Sequence, residues 1–123
     1  MAELKKQLYA RINQSPDVTI YSEMLIWLFM QQLDFENALR QSKALDKRLS
    51  ENGNRVYTLA QIAIREKDYN TGIAAYEYIT KEKGIDCPFY IDSKRYSLTA
   101  KRDRLVEGYQ YTKEELIILE SEY

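Results

Sequence analysis

The side chains that most often carry enzymatic chemistry are scarce in this sequence. Its 123 residues include no histidine and a single cysteine, Cys87. Without histidine the chain lacks the commonest general base and the commonest metal ligand. A single thiol has no second cysteine to pair with, and we interpret it as buried or incidental. We also find no phosphate-binding glycine loop, nucleophile motif or metal-ligand spacing. We therefore predict no catalytic residue, no metal and no cofactor, and we do not expect an enzyme.

Four cationic side chains are spaced so that they could bind an anion. The stretch SKRYSLTAKRDR at residues 93–104 puts Lys94 and Arg95 seven residues before Lys101 and Arg102. Since seven residues are close to two helical turns, the four would line one stripe of a helix. Such a stripe could bind an acidic peptide, a phosphate or single-stranded nucleic acid. It is more typical of a solvated helix face, because nearby acidic residues offset its charge. Binding of an anionic ligand is therefore the alternative function, and nucleic acid is the less expected partner.

The spacing of apolar residues predicts helices throughout, because no segment alternates with the period of a strand over a useful length. Seven short helices are expected, at residues 1–15, 19–32, 35–49, 55–66, 69–83, 88–106 and from 112 onward. Their packed faces predict a core of Leu25, Phe29, Phe35, Ala38, Leu45, Leu59, Ala63, Tyr69, Ile73, Tyr76 and Ile79.

Residues with capping chemistry stand at the predicted helix ends. Asp34 and Asp68 are expected to cap the starts of two helices, and Asn54 the start of another. Gly84 is expected to end a helix in the left-handed conformation. Pro88 is placed in the first turn of the following helix, where its missing N–H does no harm.

The chain repeats itself at a fixed distance. The segment LDFENALRQSKAL at 33–45 aligns without a gap on KDYNTGIAAYEYI at 67–79, and the offset is 67 − 33 = 34 residues. Ala38 then aligns with Gly72, so that each unit has a small residue in its second helix. A period of this length is typical of helical repeat proteins.

These two units resemble tetratricopeptide repeats, whose helix pairs are joined by a turn with an acidic-aromatic pair. The resemblance implies an all-α fold in which antiparallel helix pairs stack into a right-handed α-solenoid of about seven helices. Residues 1–17 would be the second helix of a truncated unit, 18–51 and 52–85 complete units, and 86–123 a divergent helix pair. The chain also resembles an internal region of long tetratricopeptide proteins of Bacteroidota, so we expect a fragment of a longer protein.

In this family the first helices of successive units line a concave groove that binds peptides. The resemblance therefore implies a non-catalytic scaffold for a protein or peptide partner. Six side chains on the helices at 19–32 and 55–66 would face the partner: Glu23, Trp27, Gln31, Tyr57, Gln61 and Arg65. Trp27 and Tyr57 would supply apolar anchors, since such residues dominate interface energies.

Two other interpretations of the same surface stay open. Trp27 could instead pack against a neighbouring helix, and the units could form a structural spacer in the longer protein. Some family members clamp a terminal carboxylate with Lys and Asn, but Glu23 and Trp27 stand at those positions here. A carboxylate clamp is therefore not expected.

The remaining predictions concern overall charge, membrane insertion, cellular compartment and self-association. The formal net charge is −1, so no global field favours nucleic acid or a membrane. The apolar run from Met24 to Met30 is too short to span a bilayer, and we predict no membrane insertion by this segment. The N-terminus lacks a signal-peptide core, which indicates a cytoplasmic segment, or a periplasmic or envelope one if the longer protein carries a signal peptide. The apolar stripe at 116–119 predicts weak self-association.

Overall fold

The structure, a computed structural model, describes residues 2–108, and over that range the chain is helical with no strand. Its helices are α1 (Ala2–Gln14), α2 (Thr19–Gln31), α3 (Phe35–Leu49), α4 (Asn54–Arg65), α5 (Tyr69–Glu82) and α6 (Tyr90–Gly108). The predicted all-α class is confirmed. The helix expected from residue 112, with its apolar stripe at 116–119, lies outside the described residues.

The described helices fall into two compact units, which divide between Glu51 and Asn52. In the first unit α1 packs on α2, and α2 packs on α3. In the second unit α4 packs on α5, and α5 packs on α6. Because only three residues separate α2 from α3, and α4 from α5, the chain turns back sharply and each pair packs as a helical hairpin.

The 34-residue repeat extends to the backbone of the turns. α2 ends with Leu33 in the left-handed conformation (φ 58°). The Leu33 N–H donates to the Met30 carbonyl at 3.0 Å, and the Asp34 N–H donates to the Phe29 carbonyl at 2.8 Å. These two bonds define a Schellman motif, which satisfies the last carbonyls of a helix. The same pair of bonds recurs around Lys67 (φ 70°), at the end of α4.

Aspartate begins the second helix of each hairpin, as predicted. Asp34 Oδ1 accepts a hydrogen bond from the Asn37 N–H at 3.3 Å. In α5 the equivalent Asp68 Oδ1 accepts one from the Thr71 N–H at 3.2 Å. Gly84 has φ 77°, so the predicted left-handed glycine after α5 is also confirmed.

Two of the predicted helix starts are wrong. The N-cap of α4 is Gly53 (φ 86°) rather than Asn54. The Asn54 N–H instead donates to Asn52 Oδ1 at 3.1 Å, so the capping chemistry comes from two residues earlier. Pro88 lies before α6 rather than in its first turn, because turns occupy residues 85–89 and the helix begins at Tyr90.

All eleven residues predicted for the core are buried. α4 and α5 approach each other closely at Gly72 in α5, which faces Ile64 in α4. A Cβ atom at Gly72 would lie 2.6 Å from Ile64 Cγ1, closer than real Cβ contacts, and nearer still to Ile64 Cδ1. Ile64 in turn packs against a small cluster of Tyr69, Ile73 and Ala100. The glycine therefore lets α4 and α5 come together around a β-branched side chain.

Between residues 2 and 108, no helix is both long enough and apolar enough to cross a membrane.

Candidate functional site

The first unit has a pocket of about 240 Å³ between α1 and α2. It is lined by Leu4, Ile20, Glu23, Met24, Trp27 and Leu28. Four of its residues on α2 follow the spacing of one helical face, the positions i, i+3, i+4 and i+7 from Ile20 to Trp27. We call this the Trp27 pocket.

Large apolar side chains of the Trp27 pocket are exposed to solvent. Trp27 is 59% exposed and Ile20 is 51% exposed, while Met24 and Leu4 are each at least 40% exposed. Contiguous apolar surface on a folded protein marks sites of interaction more often than scattered apolar residues do. Within the part of the chain that the structure describes, the carboxylate of Glu23 is the single charged group of the lining.

Three of the predicted partner-binding residues are on α2. Glu23 and Trp27 both line the Trp27 pocket. Gln31 is exposed at the end of the same helix and does not line the pocket.

The other three predicted partner-binding residues are on α4. Tyr57 is half-buried, whereas Gln61 and Arg65 are exposed. The six residues therefore divide equally between the two units, and a groove shared by them stays a prediction.

Tyr57 belongs to an aromatic cluster within the second unit. Its ring stacks on Phe89, with centroids 4.7 Å apart and an angle of 25° between the planes. Tyr57 and Tyr76 form a T-shaped pair, with centroids 5.8 Å apart and 68° between the planes, and the centroids of Tyr76 and Tyr96 are 5.9 Å apart. Such geometries are favourable for aromatic pairs and add to the free energy of burial. Much of the Tyr57 ring is therefore engaged by its own unit.

Sequence reasoning missed this cluster. Phe89 follows Gly84 in an irregular segment, where no helical periodicity indicates the direction of a side chain. A high local density of aromatic residues from Tyr90 to Tyr96 was the available signal. It did not specify Tyr57 or Tyr76 as partners, because both are distant in sequence.

The aromatic cluster changes the acidity of its phenols. Burial raises the pKa of Tyr76 to about 12, and the neighbouring Tyr57 and Tyr96 add to the rise. The pKa of Tyr57 is also raised, first by burial and then by the carboxylate of Asp92. Both phenols therefore remain protonated at neutral pH, which is consistent with a packing role.

A second pocket, of about 230 Å³, lies among α4, α5 and α6. It is lined by Gln61, Ile64, Tyr76, Tyr96, Thr99, Ala100 and Asp103. We call this the Asp103 pocket. Of the residues predicted to bind a partner, Gln61 is part of this lining, while Tyr57 and Arg65 are not.

The four cations predicted as a basic patch are all on α6: Lys94, Arg95, Lys101 and Arg102. Three have a carboxylate oxygen within 4 Å: Arg95 at 3.2 Å from Asp92, Lys101 at 3.8 Å from Glu77, and Arg102 at 3.9 Å from Asp103. These ion pairs are partly exposed, and pairs of this kind contribute little to stability. They do reduce the positive potential of the helix face. Binding of an anion here stays a prediction.

Within the described range, no group of three or more His, Cys, Asp or Glu side chains could hold a metal ion. The thiol of Cys87 has a structural contact instead. Its Sγ donates to the Asn52 carbonyl at 3.2 Å. This bond links the segment before α4 to the segment before α6.

Comparison with known proteins returns no match among family models, curated proteins or solved structures.

Proposed function

We propose that this protein is a non-catalytic interaction module that binds a protein or peptide partner. The observation that carries this proposal is the Trp27 pocket, in which an exposed indole and three exposed aliphatic side chains surround a concave site. The occupant is an apolar side chain on the partner, because all lining residues except Glu23 are apolar.

Physical chemistry favours Trp27 as the centre of such a site. Trp is enriched among the interface residues whose truncation costs about 2 kcal/mol or more of binding free energy. Met24 adds an unbranched, polarisable side chain that adjusts its shape to different occupants. Exposed apolar surface of this kind gains free energy when a partner removes it from water, at roughly 25 cal/mol per Å².

The proposal includes the finer architecture that the 34-residue repeat implies. The helix pairs belong to a right-handed solenoid of the tetratricopeptide type, and α2 and α4 are the first helices of successive units. On that architecture Gln31, Gln61 and Arg65 orient the backbone or acidic side chains of the partner. The recurrence of the Schellman turns and aspartate caps at the same period supports it.

The test is affinity for a partner captured from the source cells, then purified and measured alone by calorimetry. Trp27→Ala should weaken its binding by about 30-fold or more, the equivalent of a 2 kcal/mol hot spot. The matched control is Ile91→Ala, since Ile91 is an exposed apolar residue of the second unit, outside the Trp27 pocket.

Both variants should fold normally. Trp27 is mostly exposed, so its truncation should change the free energy of unfolding by less than about 1 kcal/mol. Equal affinities for wild type and Trp27→Ala would refute the proposal for this pocket. A structural spacer in a longer protein would then be the better interpretation.

A further inference from the structure

The Asp103 pocket has apolar walls and a polar rim. Tyr76, only 3% exposed, forms part of its inner surface, and Ile64 and Ala100 are also buried or half-buried. At about 230 Å³ it is larger than the cavity of about 150 Å³ that holds a benzene molecule. The pocket therefore has room for one long side chain but not for a folded element.

The rim presents hydrogen-bond acceptors. Among the described residues of the lining, Asp103 alone is charged, and its carboxylate can only accept. The hydroxyl of Thr99 donates its proton to the Arg95 carbonyl at 3.2 Å, so toward the pocket it also acts as an acceptor. The carboxamide of Gln61 can present its oxygen by rotation. A donor with positive charge complements this arrangement.

The aromatic rings of the pocket also favour a positively charged ligand. Tyr76 and Tyr96 both line the pocket, and ring faces attract cations at distances up to about 6 Å. The ring of Tyr96 already has a cation nearby, since the Arg95 guanidinium lies 5.1 Å from its centroid. The ring of Tyr96 therefore makes a cation–π contact of this kind within the protein itself.

The cations that lie near Asp103 in the sequence of α6 make contacts of their own, one of them with Asp103. Arg104 donates to Asn70 Oδ1 at 2.8 Å, and Lys101 lies 3.8 Å from Glu77. Arg102 approaches Asp103 to 3.9 Å, but both side chains are more than a third exposed, so water screens this pair. A ligand cation can therefore compete for the Asp103 carboxylate.

We propose that the Asp103 pocket binds a lysine or arginine side chain of a partner polypeptide. The aliphatic stem packs against Ile64 and Ala100, and the cationic head reaches Asp103 at the rim. Lysine and arginine side chains commonly bury their stems in this way while the charge stays near water. The site rests on the proposed function, because its ligand is a side chain of the bound partner.

The experiment is an NMR titration of the ¹⁵N-labelled protein with small probes. N-acetyl-lysine methylamide should shift amide signals of α4, α5 and α6, with weak affinity in the millimolar range that suits a single side chain. N-acetyl-norleucine methylamide has a similar aliphatic stem without the charge. It should bind at least fivefold more weakly to the same residues.

Two charge-neutralising variants make the test specific. Asp103→Asn should remove the preference for the lysine probe, while Asp86→Asn makes the same change at an exposed residue outside the lining and should retain it. Trp27→Ala should leave both affinities unchanged, so failure of the Trp27 pocket and failure of this one are distinguishable. Equal affinity for the two probes, or equal effects of the two aspartate variants, would overturn the proposal.

A negatively charged probe tests whether the pocket prefers anions instead of cations. N-acetyl-glutamate methylamide should not bind at the Asp103 pocket. If it binds more tightly than the lysine probe, and Asp103→Asn strengthens it further, the cationic-ligand proposal fails. The basic residues of α6 would then be the better candidates for ligand binding.

Discussion

At the scale of single residues, the burial of Tyr76 should make the free energy of unfolding depend on pH. Its pKa is raised to about 12 when folded, against about 10 for an unperturbed phenol. Below pH 10 the phenol is protonated in both states, so its contribution to stability is complete. Above pH 10 the unfolded chain ionises first, and the free energy of unfolding should therefore fall as pH rises from 10 to 12. The fall should not exceed about 1.4 kcal/mol per pH unit for this group.

Denaturant unfolding at pH 8, 10 and 11 measures this effect. Tyr76→Phe is the matched variant, because it keeps the ring and removes the titrating group. It should reduce the slope of unfolding free energy against pH, whatever its effect at neutral pH. Identical slopes for the variant and the wild type would show that Tyr76 is not the responsible phenol.

Part of the candidate site could be predicted from the residue types and their spacing. The rest depends on tertiary contacts that the sequence does not specify. The sequence placed Glu23 and Trp27 on one partner-facing side of a helix, and in the structure both side chains line a pocket. The Asp103 pocket was not predicted, because its lining comes from three helices whose relative positions the sequence does not specify. Tyr57 shows the same limit, since its contact with Phe89 depends on an irregular segment.

At the scale of helices, the close approach of α4 and α5 can be tested at Gly72. Alanine at a helical glycine gains about 1 kcal/mol of helix propensity. Here, however, the new Cβ would collide with Ile64, and overpacking typically costs about 1–3 kcal/mol. Ile64 also packs against the cluster of Tyr69, Ile73 and Ala100, so a rotation that relieves the collision would give up that packing. We expect Gly72→Ala to lower the free energy of unfolding by about 1 kcal/mol or more.

The sign should reverse when Ile64 is truncated. In an Ile64→Ala background, Gly72→Ala should stabilise by up to about 1 kcal/mol, because only the propensity gain remains. Ala74→Gly, at an exposed position of α5, measures the propensity difference without a packing change. A destabilising Gly72→Ala in both backgrounds would exclude the contact with Ile64 as the cause.

Helix positions were more predictable than helix starts. All six described helices were expected within a few residues of their observed bounds, because apolar periodicity and the aspartate caps act locally. The start of α4 depends on the backbone at Gly53, which is buried in the left-handed conformation against Ile79. The sequence alone does not predict this tertiary contact between Gly53 and Ile79. The start of α6 differs for the same reason, as the segment before it makes its own turns and a bond from Cys87 to Asn52.

At the scale of the whole molecule, charge and exposed apolar surface together predict how copies interact. The formal net charge of −1 gives little repulsion between copies. The Trp27 pocket exposes apolar side chains that lose their contact with water when another surface covers them. We therefore expect weak, concentration-dependent self-association of the isolated protein, and sedimentation velocity between about 10 μM and 1 mM should detect it, since weak contacts have millimolar constants.

Variants that add a positive charge identify the surface through which copies of the protein associate. Trp27→Lys should shift the association to concentrations at least fivefold higher, because it places a charge in the apolar lining. Ala44→Lys adds the same charge at an exposed position of α3 outside the lining, so it should change the association little. Equal effects would mean that net charge, rather than the Trp27 pocket, controls the association. Loss of association in Ile117→Lys but not in Trp27→Lys would instead assign it to the stripe at 116–119, and the apolar surface of the first unit would then remain available to a different partner.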